Sequence, residues 1–179
     1  KLGIGTNDKT LIYLGSLGTW YLVKEMLEFY KVWKVQHPEY KFLFVTKDNM
    51  NLVYQHCQEL EIKTTEILHA AASRIEVPIY IKLADLGIFF IKPAYSKKAS
   101  SAVKMGEMMA MGLLFVTNKG VGDADYYVNM YRFAYLVEKD QNDINLLPLE
   151  NYQPDKKSLD YLNLKTGINN YLSIYNSLL

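Results

Sequence analysis

Apolar residues cluster in short blocks along this chain, and between the blocks they recur at helical spacing. Blocks at 11–14, 41–46, 65–69, 87–91, 113–117 and 133–137 predict six strands, the third being the weakest. They are continuous rather than alternating, as in a parallel sheet covered on both faces. Between the first two lies a helical pattern over 20–36. Val23, Met26, Leu27, Tyr30 and Trp33 fall on one face, and Lys24, Glu25, Glu28, Lys31 and Lys34 on the other. His37-Pro38 ends it, because proline restricts the residue before it and cannot continue a helix. Asp48 or Asn49 is placed to cap a second helix that runs to about Glu61, with Leu52, Val53, His56 and Leu60 facing inward.

Further helices are predicted over 77–84, with Pro78 in the first turn, over 100–111 and over 124–130. Residues 140–155 are polar and contain Pro148 and Pro154, the composition of a loop. Residues 158–179 are helical in pattern, with Ile168, Tyr171, Leu172 and Tyr175 as a docking stripe. Strand and helix thus alternate. That rhythm, with right-handed crossovers, predicts an α/β Rossmann-like doubly wound, mainly parallel six-stranded sheet with helices on both faces.

Composition narrows the function classes. The 179 residues are 50% hydrophobic and 22% charged, enough for one packed domain, and the whole chain is expected to be one ligand-binding domain. A formal net charge of +1 gives no general electrostatic case for a nucleic-acid partner. The single cysteine, Cys57, excludes a disulfide scaffold, fits a reducing compartment and reads as a core thiol. His37, His56 and His69 have no metal-ligand spacing; of the three, His69 is placed nearest the mouth of a cleft. The fifteen tyrosines read mainly as packing. The first residue is lysine rather than methionine, and the chain is expected to be part of a longer protein.

Two glycine-containing loops follow strands, where open α/β sheets bind ligands. In the first, Gly15-Ser16-Leu17-Gly18, glycines permit close backbone approach and a helix N-terminus offers free N–H groups to a phosphate. It matches neither the dinucleotide fingerprint nor the Walker loop, and an ordinary turn explains it equally. The second is Lys119-Gly120-Val121-Gly122-Asp123, whose Asp123 either caps the next helix or meets a ligand. Glu107 lies either in solvent or at the inward rim of its helix. At the rim, a carboxylate would accept from both hydroxyls of a ribose. Lys104 forms a surface pair with it or points into the cleft toward a diphosphate. Ser100 and Ser101 are helix caps by type, and Lys97 and Lys98 read as exposed loop lysines.

From Ser100 to Asp123 the chain resembles the group 1, retaining GT-B glycosyltransferases. Ser100, Lys104, Glu107, Ala110, Gly112, Asn118, Gly120, Gly122 and Asp123 stand where that family's motif has the same residue types. The segment before it, VPIYIKLADLG, the first loop and the last helix are also similar, so the resemblance covers nearly the whole chain. It implies the C-terminal, nucleotide-sugar-binding half of a GT-B fold, with an N-terminal acceptor domain outside this chain. Glu107 would hold the ribose and Gly15, Ser16 and Gly18 the diphosphate. Ser101, Ala102, Val103 and Lys104 would face sugar and phosphate, with Gly120 and Asp123 completing the donor site.

The family's first motif glutamate is replaced by Ala99, its Pro-Thr by Ala102-Val103, and its first-loop arginine by Ser16, which leaves Lys97, Lys98 or Lys104 as substitutes. The implied protein is a cytoplasmic, metal-independent retaining transferase at the inner face of the membrane, without a cofactor. It would use a nucleoside diphosphate sugar as donor and a saccharide or lipid-linked acceptor, in cell-surface polysaccharide synthesis. The fragment alone is expected to be inactive, its catalytic residues lying in the other domain, and the full-length protein is expected to touch the membrane peripherally. A non-catalytic Rossmann-like binding module and a GT-B sugar-nucleotide epimerase are the alternatives.

Overall fold

A computed structural model describes residues 2–98, 101–131, 134–137 and 163–178. Strand β1 (Lys9–Leu14) leads to helix α1 (Val23–Gln36), β2 (Tyr40–Val45), α2 (Asn51–Glu59), β3 (Ile67–Ala70) and α3 (Val77–Lys82). The chain continues through β4 (Leu86–Phe89), α4 (Val103–Ala110), β5 (Phe115–Asn118), α5 (Ala124–Tyr131) and β6 (Ala134–Val137), and α6 (Leu164–Asn176) follows. All strand pairs are parallel, in the order β3-β2-β1-β4-β5-β6. Strand order reverses between β1 and β4. Right-handed crossovers therefore put α1 and α2 on one face and α4 and α5 on the other. The expected doubly wound sheet is present.

Burial on two faces explains the apolar runs. Leu11, Ile12 and Tyr13 of β1, Phe42, Leu43 and Phe44 of β2, and Ile88 and Phe89 of β4 are wholly shielded from solvent. The Tyr30 hydroxyl donates to the Tyr40 carbonyl (2.9 Å), fastening α1 to the start of β2. Asp85 joins β1 to β4 at the opposite end from the candidate loops. Its carboxylate accepts from the Thr10 N–H (2.8 Å) and its own N–H donates to the Thr10 carbonyl (3.0 Å).

Several expectations shift. Helix α1 starts at Val23 rather than near Trp20, because Tyr21 forms an antiparallel bridge with Ile91 and the Leu22 N–H donates to Phe90. A 3₁₀ turn at Thr64–Glu66 delays β3. In α2, Val53 faces the core as expected, with Cys57 one turn on, and Leu60 packs against it, while Leu52 lies off that stripe and is exposed. Burial pushes the Cys57 thiol up to about 11, as befits a core thiol. The expected docking stripe Ile168, Tyr171, Leu172 and Tyr175 is exposed at all four positions: spacing marks a face that can be covered without supplying what covers it. The expected loop at 140–155 lies outside the described residues, as does Phe133 of the sixth strand.

Gly87 lets α4 lie close on the sheet. A Cβ there would stand 2.6 Å from the Met108 sulfur and 3.0 Å from the Phe115 Cβ. Gly87→Ala should therefore cost about 1–3 kcal/mol of unfolding free energy by overpacking. Gly18→Ala, where nothing lies within 4 Å, should be near neutral in the same urea titration. Equal stabilities for the two variants would contradict this packing.

Candidate functional site

The loops after β1, β2 and β3 and the first turns of α4 enclose a pocket of about 380 Å³ at the C-terminal end of the sheet. Its floor begins with Leu14 and Gly15. Gly15 has a φ of 122°, a conformation that favours glycine, and a Cβ on it would stand 3.0 Å from the Lys104 Nζ. Asp48 holds the loop from the side, its Oδ2 accepting from the Leu17 N–H at 2.6 Å. Asp48 is thus taken by the first loop, while Asn49 accepts from the Asn51 N–H at the start of α2.

Lys104 comes from the first turn of α4 and is only 7% exposed. Its ammonium lies 3.6 Å from the ring centre of Tyr21 and 4.4 Å from that of Tyr13, and donates to the Tyr13 hydroxyl at 3.3 Å. That hydroxyl in turn donates to the Ser16 carbonyl. One relay thus runs from α4 through β1 to the first loop. Burial lowers the Lys104 pKa to about 7, the Glu107 carboxylate pulling the other way. The two ring faces also favour the charged form. Burial likewise raises the Tyr13 hydroxyl well above its ordinary value, so it remains protonated and able to donate.

One turn further along α4, Glu107 lines the same pocket with its side chain 23% exposed. Its Oε1 pairs with the Arg74 guanidinium at 2.7 Å. Arg74, from the β3–α3 connection, is exposed and also lines the pocket, as does Lys47 after β2. Lys47, Arg74 and Lys104 therefore surround Asp48 and Glu107. The helix that carries Lys104 and Glu107 has no side-chain cap at its N-terminus, and the N–H groups of a first helical turn lack intrahelical acceptors. The pocket combines a carboxylate and cations at the start of a helix, which suits a polyhydroxylated, anionic ligand.

Of the residues expected at a donor site, Gly15, Ser16, Val103, Lys104 and Glu107 line this pocket. Gly18, Ser101, Ala102, Gly120 and Asp123 are not in its wall. Gly18 accepts from the Tyr21 N–H in a turn, and the loop at Gly120 is closed by Asp125, which accepts from the Gly120 N–H at 3.1 Å. Asp123 keeps a buried Oδ1 without a hydrogen bond among the described residues. The surface pair drawn between Lys104 and Glu107 is replaced by Lys104 on tyrosines and Glu107 on Arg74. His69 accompanies the pocket's edge, its Nε2 3.1 Å from the Thr46 carbonyl. Arg74, Lys47 and the two tyrosine faces escaped the sequence reading. A lone arginine after a weak strand carries no pattern, although a base directly beyond a strand C-terminus is a signal to weigh.

No family model matches the chain, and no curated protein matches it in sequence. Solved structures do match it. WaaG, a glycosyltransferase involved in lipopolysaccharide biosynthesis, superposes with a TM-score of 0.64 at 16% identity, over 90% of this chain and 49% of that one. A UDP-forming α,α-trehalose-phosphate synthase from Burkholderia xenovorans gives 0.69 at 12% identity, over 94% and 44%. TarM gives 0.58 at 10% identity, over 87% and 28%. The chain spans about half or less of the length of these proteins. The likeness establishes the fold: a Rossmann-like α/β domain of the kind found in GT-B glycosyltransferases.

The buried ammonium has a thermodynamic signature. Between about pH 7 and about pH 10 the unfolded chain holds one proton more at this lysine than the folded chain does. Lys104 therefore makes stability rise with pH by up to about 1.4 kcal/mol per unit. Lys104→Met should flatten the rise measured by urea denaturation from about pH 7.5 to about pH 9, below the range where tyrosines titrate. An unchanged slope would contradict the burial.

Proposed function

We propose that the chain is the nucleotide-sugar-binding domain of a glycosyltransferase. The observation that carries this reading is the convergence of Glu107, Lys104 and the uncapped start of α4 on one pocket at the C-terminal end of a parallel sheet. In this reading Glu107 accepts from the ribose hydroxyls. The diphosphate lies against the first loop and the N-terminal turn of α4, where helix dipole and free N–H groups favour negative charge. Lys104, Lys47 and Arg74 supply the positive charge that the first loop itself lacks. A diphosphate near Lys104 favours its charged form, so binding takes up a proton near neutral pH.

The complete protein would move a sugar from a nucleoside diphosphate sugar to a saccharide or lipid-linked acceptor. Helix dipole and lysines would serve the leaving group in place of a metal ion, with retention of configuration. The acceptor would sit in a further domain, and cytoplasmic cell-surface polysaccharide synthesis at the membrane's inner face is the process proposed. Involvement of WaaG in lipopolysaccharide biosynthesis supports that last point.

Arg74 favours a second reading, a non-catalytic module, because it already satisfies the carboxylate a ribose would use. Calorimetric titration with UDP, GDP and ADP separates the two. UDP is tried first because it appears in the trehalose-phosphate synthases' description. Under the first reading one diphosphate binds, and Glu107→Ala weakens it by about tenfold or more, the loss of one charge-assisted hydrogen bond. Absence of binding by all three to a folded chain selects the second reading. Unchanged affinity in a folded Glu107→Ala chain removes Glu107 from the site.

A further inference from the structure

One ion pair joins two walls of the pocket. Arg74, in the β3–α3 connection, and Glu107, in α4, both line it, and their side chains meet at 2.7 Å. The two partners differ in freedom: the Arg74 side chain is 76% exposed and that of Glu107 23%. The backbone beneath Arg74 is braced. The Ser73 N–H and hydroxyl both donate to Glu76 Oε2, at 2.8 and 2.6 Å, and the Glu76 N–H donates to the Ser73 carbonyl at 3.0 Å. The root of the arginine is thus fixed while its long side chain, open to water, has room to swing. Helix α4 begins at Val103, so its start lies about 6 Å along the axis from Glu107, within the sweep of that side chain.

We infer that Arg74 is a clasp on Glu107 that a ligand's phosphate releases, so that the pocket discriminates nucleoside diphosphates from uncharged nucleosides. The inference rests on the donor-domain reading of this pocket. A nucleoside that offers its ribose hydroxyls to Glu107 must take the carboxylate from Arg74 and gives the guanidinium no anion in exchange. A nucleoside diphosphate makes the same demand and supplies the exchange. Its phosphates lie, in that reading, at the start of α4, where the displaced guanidinium can meet them through a charge-assisted fork of N–H donors. Lys104 and Lys47 also line the pocket and do not depend on this exchange. The diphosphate therefore still binds without Arg74, only less tightly. Arg74 thus acts in opposite directions on the two ligand classes, as a competitor of one and a contact of the other.

The test titrates UDP, GDP and ADP, each with its own nucleoside, into the unaltered chain, Arg74→Ala and Arg74→Lys, followed by NMR chemical shifts. In Arg74→Ala the nucleoside should bind about threefold tighter, since an ion pair this open to water holds weakly. The matching diphosphate should bind about tenfold more weakly, from loss of one charge-assisted contact. The preference for the diphosphate thus narrows by about thirtyfold, the product of the two. Arg74→Lys keeps the charge and should fall between. Added salt screens the pair, so it should improve nucleoside binding to the unaltered chain and leave that to Arg74→Ala unchanged. A purely structural role for Arg74 would weaken both ligands together. A nucleoside that binds no tighter to Arg74→Ala, or a diphosphate that binds no more weakly to it, overturns the clasp, while the bound diphosphate keeps the donor-domain reading. Absence of binding by every nucleoside and diphosphate to all three folded chains overturns both.

Discussion

A lysine ammonium enclosed by two tyrosine rings sets the geometry of the candidate site. Lys104 projects from the first turn of α4 into a gap that exists because Gly15 has no side chain. A buried charge of this kind needs compensation, and the ring faces and the Tyr13 hydroxyl provide it. Satisfying the lysine fixes the rotation of α4 about its axis. Glu107, one helical turn later, must then face the same pocket. The close seat of α4 over Gly87 reinforces this orientation from below.

Both carboxylates of the pocket already have partners within the chain. Arg74 holds Glu107, and Asp48 is spent on the Leu17 N–H. Any ribose that uses Glu107 must share it with Arg74 or displace it, and the released guanidinium is then free to meet a phosphate. The first loop carries Ser16 rather than a base, yet positive charge still reaches the pocket from the neighbouring strands, through Lys47 and Arg74. The cationic environment is thus assembled from two strand ends and the start of α4 instead of one loop.

The sheet was legible because buried parallel strands write themselves as unbroken apolar runs, and the topology followed from their alternation with helical periods. Glu107 and Lys104 were legible as candidates because a charged residue on an apolar helix stripe demands a partner. Their actual partners were not, since Arg74, Tyr13 and Tyr21 reach them across long sequence separations that no periodicity records. Asn118 stood in a motif, but its clamp on Ile91 is a tertiary contact. The last helix misled because an apolar stripe tells that a face can be covered, not what covers it.

The most direct test is the titration of Lys104 itself, followed by the NMR shift of its side-chain Cε in the folded chain and assigned by comparison with Lys104→Met. Enclosure predicts a midpoint near 7, moving upward when a nucleoside diphosphate is added at saturating concentration. A midpoint at the ordinary lysine value of 10.5, indifferent to added diphosphate, would contradict both the enclosed ammonium and the site built around it.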